Sequence, residues 1–114
     1  MSKYKEDTQS DVAIAEKEKL AEPFNYNVIV HNNDHTSYDE VIIILSQAFQ
    51  MSNAEALNIA QKVDSEGKGV CGTYSKEVAD MKLMIVDTVK KQLIQFMPTR
   101  VREISMLKFT VEKA

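Results

Sequence analysis

The chain is poor in the features that would give it away quickly. It has one cysteine, Cys71, in 114 residues. An internal disulfide is therefore excluded, and a reducing compartment fits. A structural zinc site would need partners, and His31 and His35 lie close to each other but far along the chain from Cys71, so no metal or cofactor is expected. No apolar run approaches the roughly 20 residues that span a bilayer. The polar first residues lack the apolar core of a signal peptide. Basic excess is missing too: the net charge is −3, which removes the electrostatic case for nucleic acid. Internal repeats and low-complexity segments are absent.

What is present suits a single soluble domain with one core. Hydrophobic residues make up 44% and charged residues 27%. Residues 1–23 read as a flexible tail, too rich in Lys, Glu, Asp and Ser to bury enough surface to offset their ordering entropy. A short helix could form from Val12 to Leu20, with Pro23 stopping it. Residues 24–114 read as the folded core. The first strand spans Phe24 to His31, with Tyr26, Val28 and Val30 on one face and Ile29 on the other.

A helix follows from Thr36 or Ser37. Either start completes a capping box, Thr36 with Asp39 or Ser37 with Glu40, and Val41, Ile44, Leu45 and Ala48 follow at helical spacing. A second capping box, Ser52 with Glu55, opens a second helix whose inner face is Ala56, Ile59, Ala60 and Val63, with Gly67 as its C-cap. The run from Gly69 to Tyr74 is a second strand whose glycines imply close approach by another element. Cys71 within it has no visible base and reads as a small core residue. Ser75 caps a third helix with Val78, Met81, Ile85 and Val89 as its buried face, leaving Lys82, Lys90 and Lys91 solvated. Pro98 breaks residues 93–104 into a loop or a helix-turn extension, and alternation over residues 106–111 marks a last strand. The order β-α-α-β-α-β predicts an α+β fold: a small sandwich in which a three-stranded antiparallel sheet carries three helices.

The cluster Asn32-Asn33-Asp34-His35-Thr36 lies where the first strand gives way to the first helix. Such amides and carboxylates can cap the helix. They can also converge on a small cation, and this set suits an ammonium better than a transition metal.

Four stretches together resemble the ClpS-type adaptors of the Clp protease. Tyr26 to Thr36 is similar to the family's opening stretch with its N-D-D-x-T-P motif. Gly67 to Tyr74 resembles its second signature, Ala79-Asp80-Met81-Lys82 its A-E-T-K helix, and Thr110 to Ala114 its C-terminus. The resemblance runs over residues 22–114. It implies a cytoplasmic bacterial or plastid-stromal adaptor and not an enzyme. Such an adaptor acts as a monomer without nucleic acid, membrane or cofactor as partner. It binds proteins with a free N-terminal Phe, Tyr, Trp or Leu and delivers them to the N-terminal domain of a Clp-family Hsp100 AAA+ unfoldase. The tail would engage the unfoldase during delivery.

The resemblance places the α-ammonium of the substrate on Asn32 and Asp34, with Asn33 near the substrate backbone. The apolar slot falls to Thr36, Tyr38, Val41, Ala60, Val63 and Leu107, and the unfoldase contact to Glu77 and Lys82. The chain departs from the pattern in several places. Asn33 replaces a carboxylate and Ser37 a proline. Tyr38 stands at a gating methionine and Ala60 at a second pocket methionine. Asp64 stands at a histidine that helps to hold the amine. A short insertion falls between Gln92 and Ser105. Asp64 close to Asp34 would be repulsive without a cation between them. The departures leave open a ClpS-like regulator that docks on the unfoldase without reading N-degrons. An acid–base enzyme using Asp34, Asp64 and His35 and a ribosomal-stalk-like interaction domain are the more distant alternatives.

Overall fold

A computed structural model describes residues 25–114. The expected tail over residues 1–23, its short helix, and Phe24 lie outside the described residues. The apolar run Val28-Ile29-Val30 forms the middle of β1 (Tyr26–His31). β1 is the central strand, flanked antiparallel by β2 (Lys68–Tyr74) and β3 (Phe109–Lys113). Occupying the centre is why all three apolar residues are buried. A bulge between Val28 and Ile29 lets the pairing with β2 pass from Gly72 to Val70, so that Cys71 is the extra residue.

Between β1 and β2 lie α1 (Tyr38–Phe49) and α2 (Asn53–Glu66). Ser37, not Thr36, is the N-cap of α1, and its capping box with Glu40 is complete in both directions, as is that of Ser52 with Glu55. α2 ends at Gly67, which takes φ +93° and returns its N–H to the Val63 carbonyl. Gly69 lies directly under α2: a β-carbon there would stand 3.0 Å from a Val63 methyl and 3.4 Å from an Ile59 methyl. The close approach expected of the glycine strand is made by this helix.

α3 (Lys76–Phe96) starts at N-cap Ser75 and is longer than expected, and its buried face has a different phase. Ala79, Val86, Val89 and Leu93 point inward, while Val78 and Met81 are 37% and 52% exposed. Ala79 is fully buried, so the inward line runs through it and not through Met81. Bulk alone had pointed to Met81. The lysines also differ from expectation. Lys90 donates from Nζ to the Leu107 carbonyl at 2.7 Å, and its burial pushes its pKa down. Lys82 sits between the rings of Phe49 and Tyr74, with Nζ 5.9 and 5.6 Å from their centroids. Of these three, Lys91 alone is exposed, paired with Asp87.

The difficult stretch after Leu93 is ordered as the last turn of α3, a 3₁₀ turn (Pro98–Arg100) and a short α4 (Val101–Ser105). Pro98 occupies the first position of the turn, where its missing N–H costs nothing. α4 carries Ile104 into the core. The last strand begins at Phe109 instead of Met106, because Leu107 still donates its N–H back to Ile104 and turns its side chain into the core. The fold is the expected α+β sandwich, with one helix more: α1, α2 and α3 bury their inner faces with Val28 and Val30 of β1.

Candidate functional site

The loop after β1 is fixed before any side chain acts. His31 donates its N–H to the Lys108 carbonyl at 3.0 Å, and Asn32 donates its own to Gly67 at 2.9 Å. The strand end is thus held on both flanks. Asn33 then shapes the turn: its Oδ1 accepts from the His35 N–H at 2.8 Å, and its Nδ2 donates to the Met106 carbonyl at 3.2 Å. The Thr36 hydroxyl donates to the Glu103 carbonyl at 2.9 Å. Asn33 and Thr36 are therefore occupied in building the loop. The side chains of Asn32 and Asp34 have no hydrogen-bond partner among the described residues.

Beside this loop is a cavity of about 260 Å³. All ten residues that the sequence reading assigned to a substrate line it: Asn32, Asn33, Asp34, Thr36, Tyr38, Val41, Ala60, Val63, Asp64 and Leu107. Val30 and Ser37 line it as well and were not foreseen. The alternation of β1 could have indicated Val30, since it puts Val30 on the same face as Val28. The floor is apolar, made by Val30, Val41, Ala60, Val63 and Leu107, all buried or nearly so. The rim is polar. Ala60 at a wall position leaves space that a longer side chain would fill.

Asp64 has a partner. The Tyr38 hydroxyl donates to its Oδ2 at 3.0 Å, which links α1 to α2 at the rim. That hydrogen bond pushes the Tyr38 phenol above its ordinary value.

Sequence reading gave no role to Arg100 and saw Glu40 only as a cap. Arg100 donates from Nε to Glu40 Oε2 at 2.7 Å and from Nη2 to Glu40 Oε1 at 2.9 Å. The Glu40 side chain is 4% exposed. The guanidinium, helped by the Ser37 N–H, holds this carboxyl below its usual range against the opposing effect of burial. The partners are sixty residues apart, so no local spacing could have found them.

His35 does not line the cavity. It borders a separate small one with Arg102, Glu103 and Met106, so the acid–base set with Asp34 and Asp64 is not assembled. Burial pushes the Cys71 thiol up to about 12, leaving no thiolate for nucleophilic chemistry at neutral pH. Among the described residues no group of three His, Cys, Asp or Glu side chains could hold a metal ion. No described helix is long and apolar enough to cross a membrane. Glu77 and Lys82 lie on α3 and do not line the cavity.

A family model described as ATP-dependent Clp protease adaptor protein ClpS matches residues 21–98. The chain belongs to the ClpS family. It is 40% identical over 86 residues to the ATP-dependent Clp protease adapter protein ClpS of Oleidesulfovibrio alaskensis, covering 75% of this chain and 83% of that one. It is 39% identical over 94 residues to ClpS of Vibrio cholerae, covering 81% and 89%. The fold is similar to the solved structure of Agrobacterium tumefaciens ClpS2 bound to L-phenylalaninamide, with a TM-score of 0.64 at 21% identity over 81% of this chain and 99% of that one. The matched ClpS segment contains the acceptor loop, α1 and α2. Arg100, Glu103, Met106 and Leu107 lie beyond it.

Proposed function

We propose that this ClpS-family chain is an N-degron adaptor: it captures proteins through a free, bulky apolar N-terminal residue and delivers them to a Clp-family Hsp100 unfoldase. The observation that carries this is the juxtaposition of two acceptor side chains, Asn32 and Asp34, without partners among the described residues, with an apolar floor in one cavity. An α-ammonium on those acceptors gains roughly 1.5–3 kcal/mol per charge-assisted hydrogen bond. Burying a Phe or Leu side chain adds about 1.5–3 kcal/mol. Neither alone gives useful affinity, so the two together define the ligand: a free amine next to a large apolar side chain. The cavity volume of about 260 Å³ suits one side chain, not an extended peptide. The ligand named for the Agrobacterium protein, L-phenylalaninamide, has this chemistry: a free amine, a benzyl group and an amide in place of a carboxylate.

In this reading Asn33 and Thr36 hold the loop and border the substrate backbone. Asp64 is an additional acceptor, now satisfied by Tyr38. Glu77 and Lys82 face the unfoldase, residues 1–23 engage it during delivery, and the protein works in the cytoplasm as a monomer.

The test is fluorescence anisotropy with short peptides beginning with Phe, Tyr, Trp or Leu, set against an acetylated Phe peptide and one beginning with Ser. The expected result is binding to the free apolar N-termini only, lost in Asp34→Ala. If none of them binds, the reading fails. The chain is then a regulator that docks on the unfoldase, to be sought through Glu77 and Lys82.

A further inference from the structure

The acceptor loop is held from a segment that, past Pro98, lies beyond the matched family model. Residues 98–106 fold back over the loop. Arg100 Nη2 donates to the His35 carbonyl at 2.9 Å while the same guanidinium forks onto Glu40. The Glu103 carbonyl takes the Thr36 hydroxyl, and the Met106 carbonyl takes the Asn33 amide. We propose that this segment is a clamp that sets the geometry of the acceptor loop, with Arg100 as a positioning residue for recognition of the substrate α-ammonium by Asn32 and Asp34. The proposal rests on the N-degron reading above.

Three physical points support it. The residues from Asn32 to His35 bury none of their side chains, so packing does not hold the loop, and its order depends on hydrogen bonds from outside. Two acceptors bind an ammonium well only if their spacing is set in advance; otherwise the ligand must supply the cost of ordering them.

Arg100 is also placed to couple two parts of the site. Glu40 Oε1 accepts both from Arg100 and from the Ser37 N–H at 2.9 Å, so one carboxylate links the clamp to the first turn of α1. That helix supplies Tyr38 and Val41 to the cavity. Through His35 the guanidinium reaches the loop, and through Glu40 the helix.

Finally, this geometry needs arginine. Two donors lie on one carboxylate, and one of them also meets a carbonyl. A lysine ammonium keeps the charge but cannot reproduce the planar fork. A buried ion pair is weak evidence for stability. Here its consequence is positional.

The experiment uses the full chain and Arg100→Lys. Affinity is measured by anisotropy for a peptide beginning with Phe, and by competition at millimolar concentration for its analogue in which 3-phenylpropionyl replaces the Phe, which keeps the benzyl group, lacks the amine and binds only weakly. Amide hydrogen exchange is followed at His35 and Thr36. In Arg100→Lys the Phe peptide is expected to bind about tenfold more weakly, the scale of one weakened charge-assisted hydrogen bond. The capped peptide should change little, and exchange at both amides should quicken. Equal weakening of both peptides, or unchanged exchange, overturns the positioning role and leaves Arg100 as a structural residue. If the wild type binds neither peptide, the N-degron reading fails, and this proposal with it. Accelerated exchange in Arg100→Lys would then keep only the structural clamp.

Should Arg100→Lys fail to fold, the double variant Glu40→Met, Arg100→Met replaces the buried pair by apolar side chains without leaving a lone charge. It should show the same selective loss for the amine-bearing peptide.

Discussion

Asp64 and Tyr38 are both departures from the pattern that the resemblance implies. The two meet at 3.0 Å across the rim. On the proposed N-degron reading, the phenol of the free protein occupies an acceptor for the substrate ammonium and competes with it. Tyr38→Phe keeps the ring and removes the competitor. Peptides with free apolar N-termini should then bind roughly two- to tenfold more tightly, the span of a net hydrogen bond at an exposed position. The acetylated peptide should gain nothing. Weaker binding of the free peptides would mean that the phenol itself contacts the ligand.

Glu40 makes a second prediction at this scale. Its carboxyl titrates below its ordinary value of 4.5, first because of Arg100. A carboxyl whose folded pKa is depressed stabilises the fold above its unfolded pKa and loses that contribution as pH falls through the folded one. Glu40→Gln should therefore be less stable than wild type at pH 7, by about 1.5–3 kcal/mol. The difference should shrink as the pH drops below 4.5. Urea unfolding at several pH values measures this; a difference independent of pH would mean that the charge contributes nothing.

Among the elements, the contact of α2 with β2 at Gly69 bears most directly on the site. An added methyl would press on the side chain of Val63, which is buried and lines the cavity. Gly69→Ala should cost about 1–3 kcal/mol in thermal or urea unfolding, as an overpacked contact does. It should also weaken binding of the Phe peptide by narrowing the slot. Unchanged affinity would show that α2 yields without moving Val63. The order of the long elements was legible because each of the three long helices carries its own start signal: Ser37 with Glu40, Ser52 with Glu55, and Ser75. The cavity lining was legible through motif resemblance, which put the acceptor loop and the α2 face together. The rotation of α3 was not, because its inward line passes through the small Ala79, and a pattern weighted by bulk selects Met81 instead. The ordering of residues 98–106 was also hidden. It depends on Arg100 meeting Glu40 across the fold and on backbone carbonyls, which carry no sequence signal.

At the scale of the molecule, the cavity is a junction. β1 contributes Val30, α1 contributes Tyr38 and Val41, and α2 contributes Ala60, Val63 and Asp64. The approach to β3 contributes Leu107, whose carbonyl is held by Lys90 of α3. β2 meets it through Gly69 under Val63, and β3 through the pairing of Phe109 with Val30, so every major element reaches the site directly or through one contact. A ligand seated there cannot stay bound while the sheet and helices separate, so its binding energy must add to the stability of the whole fold. With peptide at 100 times its Kd, mass action adds about 2.7 kcal/mol. For a domain of this size each kcal/mol raises Tm by about 4–8 °C, so an N-terminal Phe peptide should raise Tm by up to roughly 10–20 °C. The acetylated peptide at the same concentration should leave Tm where it was. Differential scanning calorimetry distinguishes the outcomes. Tight binding by anisotropy without a rise in Tm would place the peptide on a surface that survives unfolding of the core, and so outside this cavity.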